Sequence, residues 1–302
     1  GSIQRNHMSL NPLLSFFRNY MEPHYQRFRK CVDSLHQTTR KLVQEARSID
    51  PAKLESRRDL LASFLKAKGG VTDKELQDVI LNFILAGRDT TACTLTWMFY
   101  ELCINPDVQT KAAEEAYRVL GKDGVPTLDD ITQEKMPYLH GVMLETLRMH
   151  PPVPQDFKFT LEDVTFPDGT TIPAGVKLAF LPYVMGRHPD RFEEPEAFRP
   201  ERWVDVADPT GSPNLKTMFE MPVFQAGPRY CLGMHLAKNE VKLLASRLLK
   251  RYTFHLEAHE HPSNFNYSLM ITMSLCNSRD QTSHDLWIVP RHRQWPAEAA
   301  TA

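Results

Sequence analysis

Charged and long side chains dominate from Tyr20 to about Ile49, a pattern that predicts an exposed helix stopping before Pro51. Arg58 to Lys68 predicts a short second helix, closed by Gly69-Gly70. Thr72, with Glu75 three residues on, has the spacing of a capping box. It opens a long apolar helix that runs through Ile80, Phe83, Leu95 and Phe99 to about Ile104, where Asn105-Pro106 stops it. At about 1.5 Å per residue this helix reaches across a whole domain, so its middle has to be buried. Asp107 to Leu120 is a further amphipathic helix ended by Gly121, and Pro137 to His150 another, ended by Pro151-Pro152.

Beyond this point the pattern changes. Between Leu161 and Pro182, Pro-Asp-Gly and Pro-Ala-Gly turns surround short β-type runs such as Val176 to Leu181, which predicts a small sheet. Arg187 to Met221 is Pro-rich and irregular. Helix returns at about Leu232 to Arg251, and Phe265 to Pro290 reads as hairpin strands before a polar tail. The fold class is therefore mainly α with small β-sheets.

Over 302 residues, 42% of them hydrophobic, the chain has enough apolar material for a substantial core. A formal net charge of −1 argues against non-specific phosphate binding, so nucleic acid is not an expected partner. Cys31, Cys93, Cys103, Cys231 and Cys276 are odd in number and far apart without a C-x-x-C pair, which disfavours a disulfide framework or a zinc ribbon and fits a reducing compartment. No apolar run approaches the roughly 18 residues needed to cross a bilayer, so the chain by itself is expected to be soluble. His255, His259 and His261 lie close together, but the order H-L-E-A-H is not H-E-x-x-H, and a solvated loop is the simpler reading. Arg27, Arg29 and Lys30 read as a solvated helix face.

One segment carries specific chemistry. Phe224-Gln225-Ala226-Gly227-Pro228-Arg229-Tyr230-Cys231-Leu232-Gly233 sets a thiol between two glycines, two residues after an arginine and directly before a helix. A cysteine at a helix N-terminus beside a cation is held as thiolate, the form that ligates metal. Gly227 permits a tight bend, and Gly233 lets a flat ligand approach the backbone.

The segment matches the signature F-x-x-G-x-R-x-C-x-G at every specified position, and from about Asn11 onward the chain resembles the cytochromes P450. The resemblance implies a truncated cytochrome P450 fold, with residues 1–302 forming the C-terminal portion of a single domain and the N-terminal anchor and first helices absent. It implies haem b as cofactor and Cys231 as the iron's axial ligand. Phe224 would pack beside the sulfur, Arg229 would pair with a haem propionate, and Lys158 stands where relatives place a second basic propionate contact.

Ala86-Gly87-Arg88-Asp89-Thr90-Thr91, midway along the long helix, resembles the oxygen-activation motif, with Asp89 and Thr90 relaying protons. Read alone, it is equally a helix with a packing glycine and a threonine bonded to its own turn. Glu145 and Arg148, three apart on one helix face, would join Arg202 of Phe198-Arg199-Pro200-Glu201-Arg202-Trp203 in the family's Glu-Arg-Arg lock.

Phe83 to Thr90, Pro152 to Lys158 and Pro167 to Thr170 resemble the plant and fungal branch that hydroxylates fatty acids and alkanes at the chain end. Val153, Phe157, Met270 and Met273 fall in segments that line the substrate channel in relatives. The implied partners are O2, a lipophilic substrate and an NADPH-cytochrome P450 reductase carrying two flavins, docking at Lys238 and Lys242. The full-length parent would sit on the cytosolic face of the endoplasmic reticulum, attached only through the anchor. A sterol substrate, an isomerase or dehydratase chemistry on the same thiolate, and a truncated non-catalytic haem-binding product remain open alternatives.

Overall fold

The computed structural model describes residues 23–67, 70–204, 218–257, 260–269, 272–277 and 286–295. The chain divides into two units, residues 1–86 and 87–302. Among the described residues, the first unit holds α1 (Pro23–Arg47), α2 (Pro51–Ser56), α3 (Leu60–Lys66) and the beginning of α4 (Asp73–Ile104). Asp50 and Asp59 each start a short helix. The Asp50 carboxylate accepts from the Ala52 and Lys53 amides, with Pro51 at the first position, and Asp59 accepts from Ala62. Helix α2 thus occupies a stretch the hydrophobic pattern leaves unassigned. Helix α4 opens on the expected reciprocal cap. The Thr72 amide donates to the Glu75 carboxylate at 2.8 Å, and the Glu75 amide donates to the Thr72 hydroxyl at 3.2 Å.

In the second unit, α5 (Pro106–Leu120), α6 (Pro137–Met149) and α8 (Met234–Arg251) pack on one another. All thirteen residues of α6 are buried. Its N-terminus has no side-chain cap of its own, and Glu115 of α5 supplies one by accepting from the Tyr138 and Leu139 amides at 2.9 and 2.7 Å. Gln109 fastens three elements together, donating to the carbonyls of Leu102 and Phe254 and accepting the Phe254 amide. At Gly141 an added Cβ would lie 2.8 Å from the Pro200 carbonyl, so the 3-10 turn Pro200–Trp203 sits directly on α6. Met98, Leu102, Met143, Trp203 and Leu249 lie in the core cluster where these elements meet.

Among the described residues the strands form four two-stranded antiparallel ladders, giving the mainly helical fold with small sheets that the pattern predicts. β1 (Asp156–Phe159) pairs with β4 (Lys177–Phe180), and β2 (Val164–Thr165) with β3 (Thr171–Ile172). β5 (Tyr252–Leu256) pairs with β8 (Ile288–His292), and β6 (Phe265–Leu269) with β7 (Met273–Asn277). A four-residue helix α7 (Pro182–Met185) follows β4. Two expectations are corrected here. The sheet begins at Asp156, before Leu161, and His255 lies on a strand instead of in a solvated loop, its register set by pairing with Val289. His259 lies outside the described residues. Among the described residues, no group of three His, Cys, Asp or Glu is placed to hold a metal ion, and no helix is long and apolar enough to cross a membrane.

Candidate haem-ligand site

The segment before α8 folds back on itself through two left-handed residues, Gln225 (φ 64°) and Gly227 (φ 76°). This reversal lets the Cys231 amide donate to the Phe224 carbonyl at 2.8 Å, while the Cys231 carbonyl accepts from Met234 at 3.2 Å. Main-chain hydrogen bonds therefore fix the cysteine on both sides. The Cys231 thiol is free and exposed, as is most of the neighbouring Leu232 (79%). A Cβ at Gly227 would meet nothing within 4 Å, and one at Gly233 would meet only the Cys231 Sγ, at 3.9 Å. Arg229 is exposed and makes no hydrogen bond or ion pair among the described residues. Lys158 reaches the loop from β1, its Nζ donating to Gln225 Oε1 at 2.9 Å. Phe224 packs against the main core.

Glu145 and Arg148 are fully buried and form a bidentate pair, with Arg148 Nε and Nη2 donating to the two carboxylate oxygens at 2.8 and 2.7 Å. The same carboxylate accepts from Arg202 Nε, the Arg199 amide and Trp203 Nε1, each at 2.9 Å. Arg148 also donates to the carbonyls of Gly186, Pro195 and Ala197. Every donor and acceptor of the pair is thus occupied, the condition under which a buried ion pair is tolerated. Trp203 and Phe192 share the core against which Met221, Val223 and Phe224 pack, which links the network to the cysteine loop.

On α4, Asp89 is half-exposed, its carboxylate 3.6 Å from the guanidinium of Arg88, the residue before it in the motif. The Thr90 carbonyl accepts the Thr94 hydroxyl at 2.9 Å. Thr91 Oγ1 is buried without a partner. A Cβ at Gly87 would meet nothing within 4 Å, so the helix surface there is open. Of the residues expected to face substrate, Val153 and Phe157 are exposed, Phe157 lying under the Lys177 ammonium at 3.7 Å. Met273 is buried, and Met270 lies outside the described residues.

Lys238 and Lys242 do not form the expected exposed docking pair. Lys242 is only 5% exposed and donates to the Ile131 carbonyl. Lys238 is half-buried, its Nζ 5.5 Å from the centre of the Phe224 ring, and burial holds both ammonium groups below the usual lysine range. Beside them His140 is buried with Nδ1 unpartnered. Desolvation, reinforced by Lys242 and Lys238, pushes it down to about 3. Two further groups escape the sequence reading. Trp203 stands next to Arg202 without any signal that its indole completes the carboxylate's shell. His150, which merely ends α6, pairs with Glu101 across 49 positions.

Residues 2–277 match the family model described as cytochrome P450. The chain belongs to the cytochrome P450 family. It is 38% identical over 65% of its length to cytochrome P450 704C1 of Pinus taeda, and 34% identical over 72% to cytochrome P450 704B1 of Arabidopsis thaliana. It is 35% identical over 63% of its length to the mitochondrial sterol 26-hydroxylase of Homo sapiens. It covers 40%, 46% and 35% of those proteins respectively, less than half of each. The crystal structure of the cytochrome P450DA heme domain superposes with a TM-score of 0.72 at 23% identity, covering 95% of this chain and 60% of that one, and so shares its fold.

Cytochromes P450 bind haem b, and the residues of this chain fit it. An exposed thiol, open space over Gly227 and Gly233, an apolar Leu232 and an unpaired Arg229 together suit a flat apolar ligand that carries a metal at its centre and anionic groups at its edge.

Proposed function

We propose that this chain is the haem-ligating part of a monooxygenase that inserts one atom of O2 into a C–H bond of a fatty acid or alkane, at the end of the chain. The exposed Cys231 thiol, fixed by main-chain hydrogen bonds, is the observation that carries this reading. When bound, haem b would supply dioxygen binding and O–O cleavage, with the Cys231 sulfur, Arg229 and Lys158 as the groups that would hold it. The protein supplies the rest. Cys231 donates the thiolate, Arg229 and Lys158 neutralise the propionates, and the Glu145–Arg148–Arg202 network holds the loop. Asp89 and Thr90 would hold and pass on the two protons that, with two electrons, turn the second oxygen atom into water. The electrons come from NADPH through a reductase carrying two flavins, and the full-length protein works on the cytosolic face of the endoplasmic reticulum.

Val153 and Phe157 offer exposed apolar surface, and Met270 and Met273 are apolar residues in the same substrate-facing role. Holding an alkyl chain end-first settles in binding the orientational cost of attacking its least reactive carbon. A sterol is the second reading, favoured by the similarity to a protein named sterol 26-hydroxylase. The deciding experiment incubates the full-length protein with reductase, NADPH and, in parallel, long-chain fatty acids, alkanes and sterols, then locates the hydroxyl by mass spectrometry. Terminal hydroxylation of an alkyl chain is expected. Turnover of sterols alone would replace the substrate, and absence of the thiolate-type Soret band in the reduced carbonyl complex would overturn the haem-ligand assignment.

A further inference from the structure

On α4, Thr90, Cys93, Trp97 and Glu101 follow one another at three- and four-residue spacing and so share one helix face. The middle two grip a single acceptor. The Cys93 thiol and the Trp97 indole both donate to the Met273 carbonyl, at 3.1 and 3.0 Å. Burial pushes the Cys93 thiol up to about 12, which keeps it a protonated donor. The Met273 amide in turn donates to the Pro152 carbonyl at 2.8 Å, immediately before Val153. Met273 is therefore tied to the helix that carries Thr90 through two side-chain donors, and through its own amide to Pro152, the residue before Val153.

A second set of contacts holds the other strand of the hairpin. The Trp97 ring is stacked parallel on His150 with centroids 4.2 Å apart. His150 Nε2 lies 2.6 Å from the Glu101 carboxylate, and Nδ1 lies 3.0 Å from the hydroxyl of Tyr267 on β6. Arg187 donates to that hydroxyl at 3.1 Å. With the proton on Nε2, all three contacts are satisfied in one direction: Arg187 donates to the Tyr267 hydroxyl, that hydroxyl to Nδ1, and the Nε2–H to Glu101. Burial lowers the proton affinity of His150 and so favours the neutral imidazole that this arrangement accommodates. Two strands alone are marginally stable, so the β6–β7 hairpin takes its position from these anchors. The stack also borders a cleft of about 470 Å³.

We propose that Trp97 and Cys93 are positioning residues for regioselectivity: they set the height of the β6–β7 hairpin relative to Thr90 and thereby which carbon of the substrate is oxidised. The inference rests on the monooxygenase reading and not on the identity of the substrate.

The test uses the full-length, haem-loaded protein and two conservative variants. Trp97→Phe keeps a stacking ring but loses the indole donor, and Cys93→Ala loses the thiol donor. Amide exchange at residues 273–277, followed without substrate, is expected to quicken by about tenfold in Trp97→Phe, the effect of losing one buried hydrogen bond. On whichever substrate the wild type oxidises, the ratio of product positions is expected to shift by about threefold or more, since small displacements redirect attack. Sterol turnover without alkyl turnover would defeat the substrate proposal and leave this test in force. For a wild type that oxidises nothing offered, 1-alkylimidazoles of graded length replace substrate, and a changed length preference, read from the Soret shift, supports the inference. Exchange that matches the wild type in both variants, or unchanged product positions and length preference, overturns it.

Discussion

Glu145 receives five donors in a site without solvent, so its charge is distributed across Arg148, Arg202, Trp203 and one main-chain amide. Removing the acid leaves two guanidinium groups without their carboxylate. Glu145→Ala should cost about 3 to 5 kcal/mol, seen as a lowered urea midpoint together with impaired haem loading of the full-length protein. Unchanged loading would show that the network does not support the cysteine loop. His140 poses the reverse problem, a group that folding keeps uncharged. Its folded value of about 3 lies below the ordinary 6.5, so as pH falls between these limits the unfolded chain takes up the proton first. Stability is therefore full above about pH 6.5, declines towards pH 3, and loses on the order of 4 kcal/mol from this residue over that window. His140→Phe should flatten that part of the stability profile relative to wild type, measured by denaturant unfolding across the range. An unchanged slope would mean that folded His140 takes up its proton as readily as the unfolded chain does.

At the level of elements, Gln109 joins α4, α5 and β5 through three buried hydrogen bonds. Gln109→Ala strands two carbonyls and one amide, an expected loss of about 2 to 4 kcal/mol in chemical denaturation. A loss within the scatter of surface substitutions would mean that water enters and takes over these groups. The helices on which the site stands were legible because their boundaries are written in side chains: Thr72 and Glu75 at one end of α4, Pro106 and Gly121 around α5, Pro137 and Pro151 around α6. The elements that escaped have no such punctuation or depend on distant partners. Helix α2 is signalled only by Asp50-Pro51. Strand β5 exists because residues 252–256 meet residues 288–292, a pairing that no local window contains. For the same reason Cys231 could be picked out from its own loop, and Glu145, Arg148 and Arg202 from the family resemblance, whereas Trp203, Glu101 and Tyr267 acquire their partners only through packing. Lys242 looks like a surface lysine until α8 packs on α5 and α6 and its ammonium meets the Ile131 carbonyl.

Across the whole molecule, large apolar side chains lie open to solvent, among them Leu161 (95%), Leu232 (79%) and Phe219 (69%). Apolar surface of this kind is a contact surface in waiting. The 302-residue chain on its own is expected to self-associate as its concentration rises and to disperse in mild non-ionic detergent, by light scattering on a sizing column. A monomer at all concentrations without detergent would show that these side chains are too scattered to cohere. The carboxylate at position 145 has a consequence in time as well as in space. Its partners at 199, 202 and 203 leave the ribosome more than fifty residues later, so during synthesis the acid and Arg148 have only each other. Helix α6 cannot take its final burial until those residues emerge, and Cys231 follows them. The order of translation thus delivers the support before the ligand, and cofactor capture becomes a late event in the life of the nascent chain.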